Sequence, residues 1–172
     1  MRYLTAVAVV VAIAMTALVL QVANLPGPAP EPVRAIAQAP RQIEYERAQT
    51  SVTRVLHANG CSDQYAPLIA HSAVNHGLEP RLLAGLVYVE SSCHADAVSP
   101  RHSFGLAQIN IVVWHVSRRQ AMDPAFNVDK GAEILASYTH RYGKIKGLHA
   151  YNGFGDSSDT YSARVIYAAN RR

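Results

Sequence analysis

The chain has 172 residues, of which 49% are hydrophobic and 16% are charged, and this balance excludes an intrinsically disordered protein. The length allows one compact domain together with terminal appendages. Sixteen Lys and Arg against twelve Asp and Glu give a formal net charge of +4, a basic excess too small to indicate a nucleic-acid-binding protein.

An uncharged apolar run occupies residues 3–23, directly after Met1 and Arg2. As a helix it would span about 31 Å, close to the roughly 30 Å hydrocarbon core of a bilayer. A secretory signal peptide has a shorter apolar stretch, about 7–15 residues, followed by a small-residue cleavage site. We therefore expect residues 1–23 to be an uncleaved membrane anchor rather than a cleaved signal, with the rest of the chain exported.

The next segment, residues 24–56, is predicted to be a linker. Residues 24–40 contain five prolines and few bulky apolar side chains, a composition typical of a semi-rigid extended spacer that reaches up to about 50 Å. From Ile43 to Leu56 the apolar residues follow an approximate helical stripe, which predicts a connecting helix.

Residues 57–172 show the pattern of a helical domain. The segment from Leu82 to Val89 contains no charged residue, so a helix there would be buried on nearly all sides. Gly77 and Pro80 are suited to end one helix and begin the next. Helices are predicted at residues 65–76, 81–91, 128–142 and 161–170. Because no long alternating pattern is present, we predict an all-α, or nearly all-α, fold.

Glu90 is the first candidate for chemistry. It ends the apolar helix that is predicted over residues 81–91, and a polar loop follows it. Partial burial raises the pKa of a carboxyl group, and the negative end of a helix dipole acts in the same direction. A carboxyl group that stays protonated near neutral pH can serve as a general acid, although a Glu at a helix end is more often solvated surface.

Four short motifs surround and follow Glu90. The first block contains Glu90-Ser91, Ala97-Val98-Ser99 and Gly105-Leu106-Ala107-Gln108. The later blocks are Asp123-Pro124 with Asn127 and Gly131-Ala132, then Ala150-Tyr151-Asn152-Gly153, then Tyr161 with Val165. In this order they resemble the signature of the soluble lytic transglycosylase family within the lysozyme superfamily. The resemblance covers residues 57–168; Ala107 departs from it, because the family usually has Met there.

The resemblance implies a lysozyme-like helical fold and a reaction on peptidoglycan. The bond cleaved would be the β-1,4 linkage between N-acetylmuramic acid and N-acetylglucosamine. Glu90 would protonate the glycosidic oxygen and then act as base on the muramoyl C6 hydroxyl, which closes a 1,6-anhydro ring. This mechanism requires no second carboxylate, and we expect the nearby Asp96 to be structural.

The same resemblance assigns a set of substrate-binding residues. Gly105 would let the backbone approach the sugar, and Gln108 would offer amide groups to it. Ser91 would orient the catalytic carboxyl group, and Tyr151 would hydrogen-bond near it or stack on a pyranose. Tyr161 has two open interpretations, a cleft residue or a core tyrosine with a satisfied hydroxyl. The full set is Ser91, Ser103, Gly105, Gln108, Tyr151, Asn152 and Tyr161.

Cys61 and Cys93 are the only cysteines. In an exported protein they are expected to form a disulfide that ties the start of the domain to the loop after Glu90; two free buried thiols are the alternative. The eight histidines include no HExxH motif, and His71 and His76 would point to different helix faces. We therefore expect no metal ion or other cofactor.

Three functions remain open at this point. The first is a lytic transglycosylase, anchored in the bacterial inner membrane with its catalytic domain in the periplasm. The second is a hydrolytic muramidase of the same fold, and the third is a non-enzymatic peptidoglycan-binding module of a secretion, pilus or phage apparatus. The expected partners are peptidoglycan glycan strands and the membrane, but not nucleic acid. A larger envelope-spanning machine is a further candidate partner.

Overall fold

The structure is a computed structural model that describes residues 31–153 and 158–172. The chain divides into two units, Met1–Pro40 and Arg41–Arg172. The helices are α1 (Glu31–Ala58), α2 (Ala66–Asn75), α3 (Pro80–Ser91), α4 (Arg118–Met122), α5 (Pro124–Tyr142), α6 (Lys144–Asn152) and α7 (Ser158–Asn170). A 3₁₀ turn, Asp63–Tyr65, precedes α2, and β1 (Ser103–Phe104) pairs antiparallel with β2 (Ile109–Asn110).

The mainly helical fold is confirmed, and the four helices predicted within the domain form with shifted ends. The expectation of an extended spacer was wrong for residues 31–40, since α1 already begins at Glu31 and contains Pro40. Pro32 lies in the first turn, where a missing N–H is tolerated, and the Ala-rich sequence that follows favours a helix. The predicted boundaries after residues 23 and 56 stay predictions.

The predicted membrane anchor, residues 1–23, lies outside the described residues. No helix within residues 31–153 and 158–172 is both long enough and apolar enough to cross a membrane.

The core of the domain is built around α3. Every residue from Leu82 to Val87 is buried, as the uncharged run predicts, and α3 packs most extensively on α7. Gly85 permits this contact, because a Cβ there would lie 2.6 Å from the carbonyl oxygen of Val165 and 2.8 Å from the nitrogen of Ala169. Helix α3 is thereby held with little freedom to shift along α7.

A disulfide joins Cys61 and Cys93, which confirms the predicted pairing. The bond connects the segment after α1 to the loop after α3, and the two Cα atoms are 6.0 Å apart. Ser92 and Cys93 both have positive φ angles, 51° and 67°, so the chain turns sharply away from the helix. The disulfide therefore fixes the end of α3, one turn from Glu90.

Candidate active site

Glu90 lies in the last turn of α3 and opens onto a cleft of about 470 Å³. The cleft is bordered by the β1–β2 hairpin on one side and by residues of α5 and α6 on the other. Among the described residues that line it, Glu90 is the only carboxylate. Asp96, the nearest acid along the chain, is exposed and does not line the cleft.

The carboxyl group of Glu90 is partly buried, and this burial raises its pKa from the usual 4.5 to about 7. Two groups oppose the rise: the hydrogen bond from Tyr161 and, more weakly, the positive charge of Arg164. The sequence predicted the direction and the main cause of this shift, which is desolvation. At neutral pH the protonated and ionised forms of Glu90 are consequently both well populated.

Tyr161 on α7 reaches the carboxyl group from the interior. Its hydroxyl donates to Oε1 of Glu90 at 2.5 Å, and the side chain is 7% exposed. Burial, followed by the nearby charge of Glu90, raises the pKa of Tyr161 far above its usual range, so the phenol keeps its proton and acts as a donor. Since Oε2 has no hydrogen bond to any described residue, it is the oxygen left to face a ligand.

Tyr151 on α6 lines the cleft, but its hydroxyl is engaged with the backbone. It donates to the carbonyl oxygen of Ala107 at 2.8 Å. Gly131 on α5 leaves room for this contact, because a Cβ there would lie 3.1 Å from the hydroxyl and 2.6 Å from Cβ of Ala107. Burial, and then the charge of Glu90, raise the pKa of Tyr151 as well. Tyr151 therefore offers its ring, rather than its proton, to the cleft.

The turn between the two strands is held by Asn127, which is completely buried on α5. Its Oδ1 accepts from the amide of Ala107, and its Nδ2 donates to the carbonyl oxygens of Phe104 and Ala121, each at 2.7 Å. Gly105 has a φ of +76°, and a Cβ there would lie 2.5 Å from Nδ2 of Asn127. This packing in the interior accounts for the glycine, whereas the sequence had assigned Gly105 to sugar approach.

Five of the residues predicted for the site line the cleft: Glu90, Ser103, Gln108, Tyr151 and Asn152. Gln108 donates its amide N–H groups to the carbonyl oxygens of Ala97 and Gly105, so its amide oxygen stays available. Ser91 is buried and donates to the carbonyl oxygen of Val87 at 3.0 Å. The Ser91 hydroxyl therefore bonds to the helix backbone and makes no hydrogen bond to the Glu90 carboxyl group, which the resemblance had assigned it to orient.

The sequence did not identify an aromatic side of the cleft. Trp114 and Tyr138 both line it, with ring centroids 6.4 Å apart. Nζ of Lys130 lies 5.6 Å from the centre of the Trp114 ring. A signal was present, because Ile134 and Tyr138 are four residues apart on α5 and so share a helix face toward the cleft.

No group of three or more His, Cys, Asp or Glu residues able to hold a metal ion occurs in the described part of the chain. The side chains of the cleft instead supply one titrating carboxyl group, amide and hydroxyl groups, and aromatic rings. This combination is suited to general acid–base chemistry on a neutral polar ligand such as a sugar.

Comparison with known proteins gives a consistent result. The family described as Transglycosylase SLT domain matches residues 67–165. A "Transglycosylase" from Enterobacteria phage PRD1 is 30% identical over 115 residues, which are 62% of this chain and 43% of the phage protein. "Membrane-bound lytic murein transglycosylase C" from Yersinia enterocolitica is 31% identical over 101 residues, 50% of this chain and 27% of that protein. The homologous protein of the same description from Haemophilus ducreyi is 30% identical over 117 residues, 59% of this chain and 32% of its own length.

The chain thus spans less than half the length of these curated relatives. The family match nevertheless includes α3 with Glu90, the hairpin, α5, α6 and the part of α7 that carries Tyr161. The chain belongs to the Transglycosylase SLT domain family.

Proposed function

We propose that the chain is a peptidoglycan lytic transglycosylase that cleaves the β-1,4 bond between N-acetylmuramic acid and N-acetylglucosamine, with Glu90 as acid and then as base. One observation carries this proposal: Glu90, whose burial raises its pKa to about 7, is the only carboxylate among the described cleft residues. A group that titrates at neutral pH can give up a proton and take one back within one reaction cycle.

In the first step the proton on Glu90 passes to the glycosidic oxygen, and the bond from that oxygen to C1 of the muramoyl sugar breaks. Oε2 is suited to this transfer because Tyr161 occupies Oε1. The carboxylate formed keeps the Tyr161 hydrogen bond and the field of Arg164, both of which favour its charged form.

In the second step the Glu90 carboxylate takes the proton of the C6 hydroxyl while O6 bonds to C1 of the same sugar. The products are a 1,6-anhydro end and a free N-acetylglucosamine end, Glu90 is again protonated, and no water is consumed. Glycosidases that use water or an enzyme nucleophile generally place a second carboxylate across the bond. Intramolecular attack by the C6 hydroxyl requires no such second carboxylate, and Glu90 is the one carboxylate among the described cleft residues.

The remaining cleft residues are suited to bind the glycan strand. Gln108, Ser103 and Asn152 offer polar groups for acetamido and hydroxyl substituents, and Trp114 and Tyr138 offer aromatic surface for pyranose rings. The same proposal includes residues 1–23 as an anchor in the inner membrane, with the domain in the periplasm. The relatives described as membrane-bound lytic murein transglycosylases support this location. A larger envelope-spanning machine stays a candidate partner.

The test is to incubate the full chain in detergent micelles with purified peptidoglycan and to weigh the released muropeptides by mass spectrometry. We expect products lighter by one water than hydrolytic ones, and their loss in Glu90→Gln. Products with reducing ends that depend on Glu90 would instead identify a muramidase. If neither protein released muropeptides while both bound the wall, the chain would be a binding module.

A further inference from the structure

We propose that Arg101 binds a carboxylate of the peptide stem on the glycan strand, so that the cleft distinguishes strands bearing peptides from bare glycan. This inference rests on the proposed function, because it concerns the substrate of the same cleft. Arg101 is the only cationic side chain among the described residues that line the cleft, and Glu90 is the only anionic one.

The Arg101 guanidinium is free to bind a ligand. It makes no hydrogen bond or ion pair with any residue in the described part of the chain, and the side chain is exposed. An arginine that does not pair within its own protein still carries five N–H donors in a planar fork that matches a carboxylate.

The backbone of Arg101, in contrast, is fixed at both ends. Its amide donates to Oγ of Ser99 at 3.2 Å, and its carbonyl oxygen accepts from Nδ2 of Asn110 at 2.7 Å. Ser99 Oγ also accepts from the amide of Ser103, and the Ser99 amide donates to the Ser103 carbonyl oxygen. The closed turn of residues 99–103 therefore fixes the point on the cleft rim from which the Arg101 side chain extends.

Asn110 also sets the surface beside Arg101. Its Oδ1 accepts from the amides of Val112 and Val113, each at 3.0 Å. Both valines are 62% exposed, and Val113 lines the cleft. The Asn110 side chain thus links the backbone of Arg101 to the backbone of two exposed valines at the same part of the rim.

This pairing of groups matches a peptide better than a sugar. Sugars whose lactyl groups are joined to peptides are uncharged, and amides, hydroxyls and aromatic rings, which the cleft supplies elsewhere, are suited to bind them. The stem peptide adds carboxylates and small aliphatic side chains, which an arginine and exposed valines complement. When the peptide is absent, the lactyl group exposes a carboxylate of the same chemistry. Strands stripped of peptide therefore distinguish binding to the lactyl carboxylate from binding to the peptide.

The experiment compares the wild-type full chain with Arg101→Gln, Arg101→Lys and Arg119→Gln. Arg119 is exposed on α4 and does not line the cleft, so its variant controls for net charge. Three substrates are used: native strands, native strands whose carboxylates are amidated with carbodiimide and ammonia, and strands stripped of peptide by an amidase. The initial rate of release of soluble glycan gives kcat and KM for each protein on each substrate.

On native strands we expect Arg101→Gln to raise KM about three- to tenfold, with kcat changed less than about twofold. The KM of Arg101→Lys should lie between those of wild type and Arg101→Gln. Arg119→Gln should have the wild-type KM and kcat. On amidated strands the wild-type KM should rise to the value that Arg101→Gln has on native strands. The KM of Arg101→Gln should be the same on amidated and on native strands. On strands stripped of peptide, wild type and Arg101→Gln should have equal KM values. Equal KM values on native strands would overturn the proposal, and a persisting difference on stripped strands would overturn the peptide assignment.

Failure of the proposed function has a separate signature, namely no release from any substrate by wild type. In that case co-sedimentation with native and amidated strands decides the role of Arg101. Weaker sedimentation of Arg101→Gln than of Arg119→Gln, on native strands alone, would support carboxylate binding. Equal sedimentation would refute it.

Discussion

Tyr161→Phe is the sharpest test of how the fold sets the acidity of Glu90. The substitution removes one hydroxyl, which donates to Oε1 at 2.5 Å, and keeps the ring that is packed in the core. This hydrogen bond opposes the effect of burial and holds the pKa of Glu90 down to about 7. A hydrogen bond to a charged group contributes about 1.5–3 kcal/mol, and about 1.4 kcal/mol corresponds to one pH unit.

The sign follows from which form the hydrogen bond stabilises. Because it favours the carboxylate, its removal raises the pKa of Glu90 further, and the carboxyl group stays protonated to a higher pH. The alkaline limb of kcat/KM, which reports loss of the acid form, should therefore move up from about pH 7 by roughly one to two pH units. The plateau rate should fall by about tenfold or more, since the carboxylate formed during cleavage is less stabilised.

The assay is the rate of muropeptide release between pH 5 and pH 10. Tyr167→Phe is a matched control, because Tyr167 lies on the same helix and is 69% exposed. Its profile should equal that of wild type. An unchanged alkaline limb in Tyr161→Phe, or a limb moved to lower pH, would refute the role of Tyr161 in setting the Glu90 pKa. Far-UV circular dichroism of both variants checks that the fold is retained.

Three further predictions concern stability. In denaturant titrations, Glu90→Gln should raise the unfolding free energy by about 1–3 kcal/mol above pH 7 and by little below pH 4.5. The reason is that folding raises the pKa of Glu90, so ionisation of this carboxyl group destabilises the folded state. A constant difference across pH would contradict this linkage. Asn127→Ala should cost about 3–5 kcal/mol, since one amide and two carbonyl groups lose buried partners, while Asn152→Ala at an exposed position should stay within about 0.5 kcal/mol. Replacing Cys61 and Cys93 by Ser should lower the unfolding free energy by about 3–4 kcal/mol, and an equal midpoint with and without reductant in the wild type would argue against the bond.

The sequence predicted the helical class and a partly buried carboxyl group at the end of α3, because both depend on local pattern. The uncharged run from Leu82 to Val89 predicts a buried helix, and a Glu that ends such a helix is a candidate for partial desolvation. It did not predict the short helices α4 and α6. Helix α4 depends on a capping box between Ser117 and Gln120, a local signal, whereas α6 has no side-chain cap and few apolar residues on one face.

The contacts within the site were beyond the sequence because they join distant segments. Tyr161 reaches Glu90 across 71 positions, and a tyrosine at helical spacing has the same pattern whether it serves the core or the cleft. Asn127 carries no sequence sign that its three hydrogen bonds hold the turn containing Gly105 and Ala107. A buried amide is identified only when its partners are known.

These long-range contacts also give a physical basis for the two opposite tasks that the proposed mechanism assigns to Glu90. Burial alone would keep Glu90 protonated and make it a poor base, whereas a fully solvated carboxylate would be a poor acid. Tyr161 stabilises the ionised form from the interior side and leaves Oε2 open to the cleft. The balance of these two effects brings the pKa of Glu90 to about 7, where the free-energy difference between giving and accepting a proton is smallest.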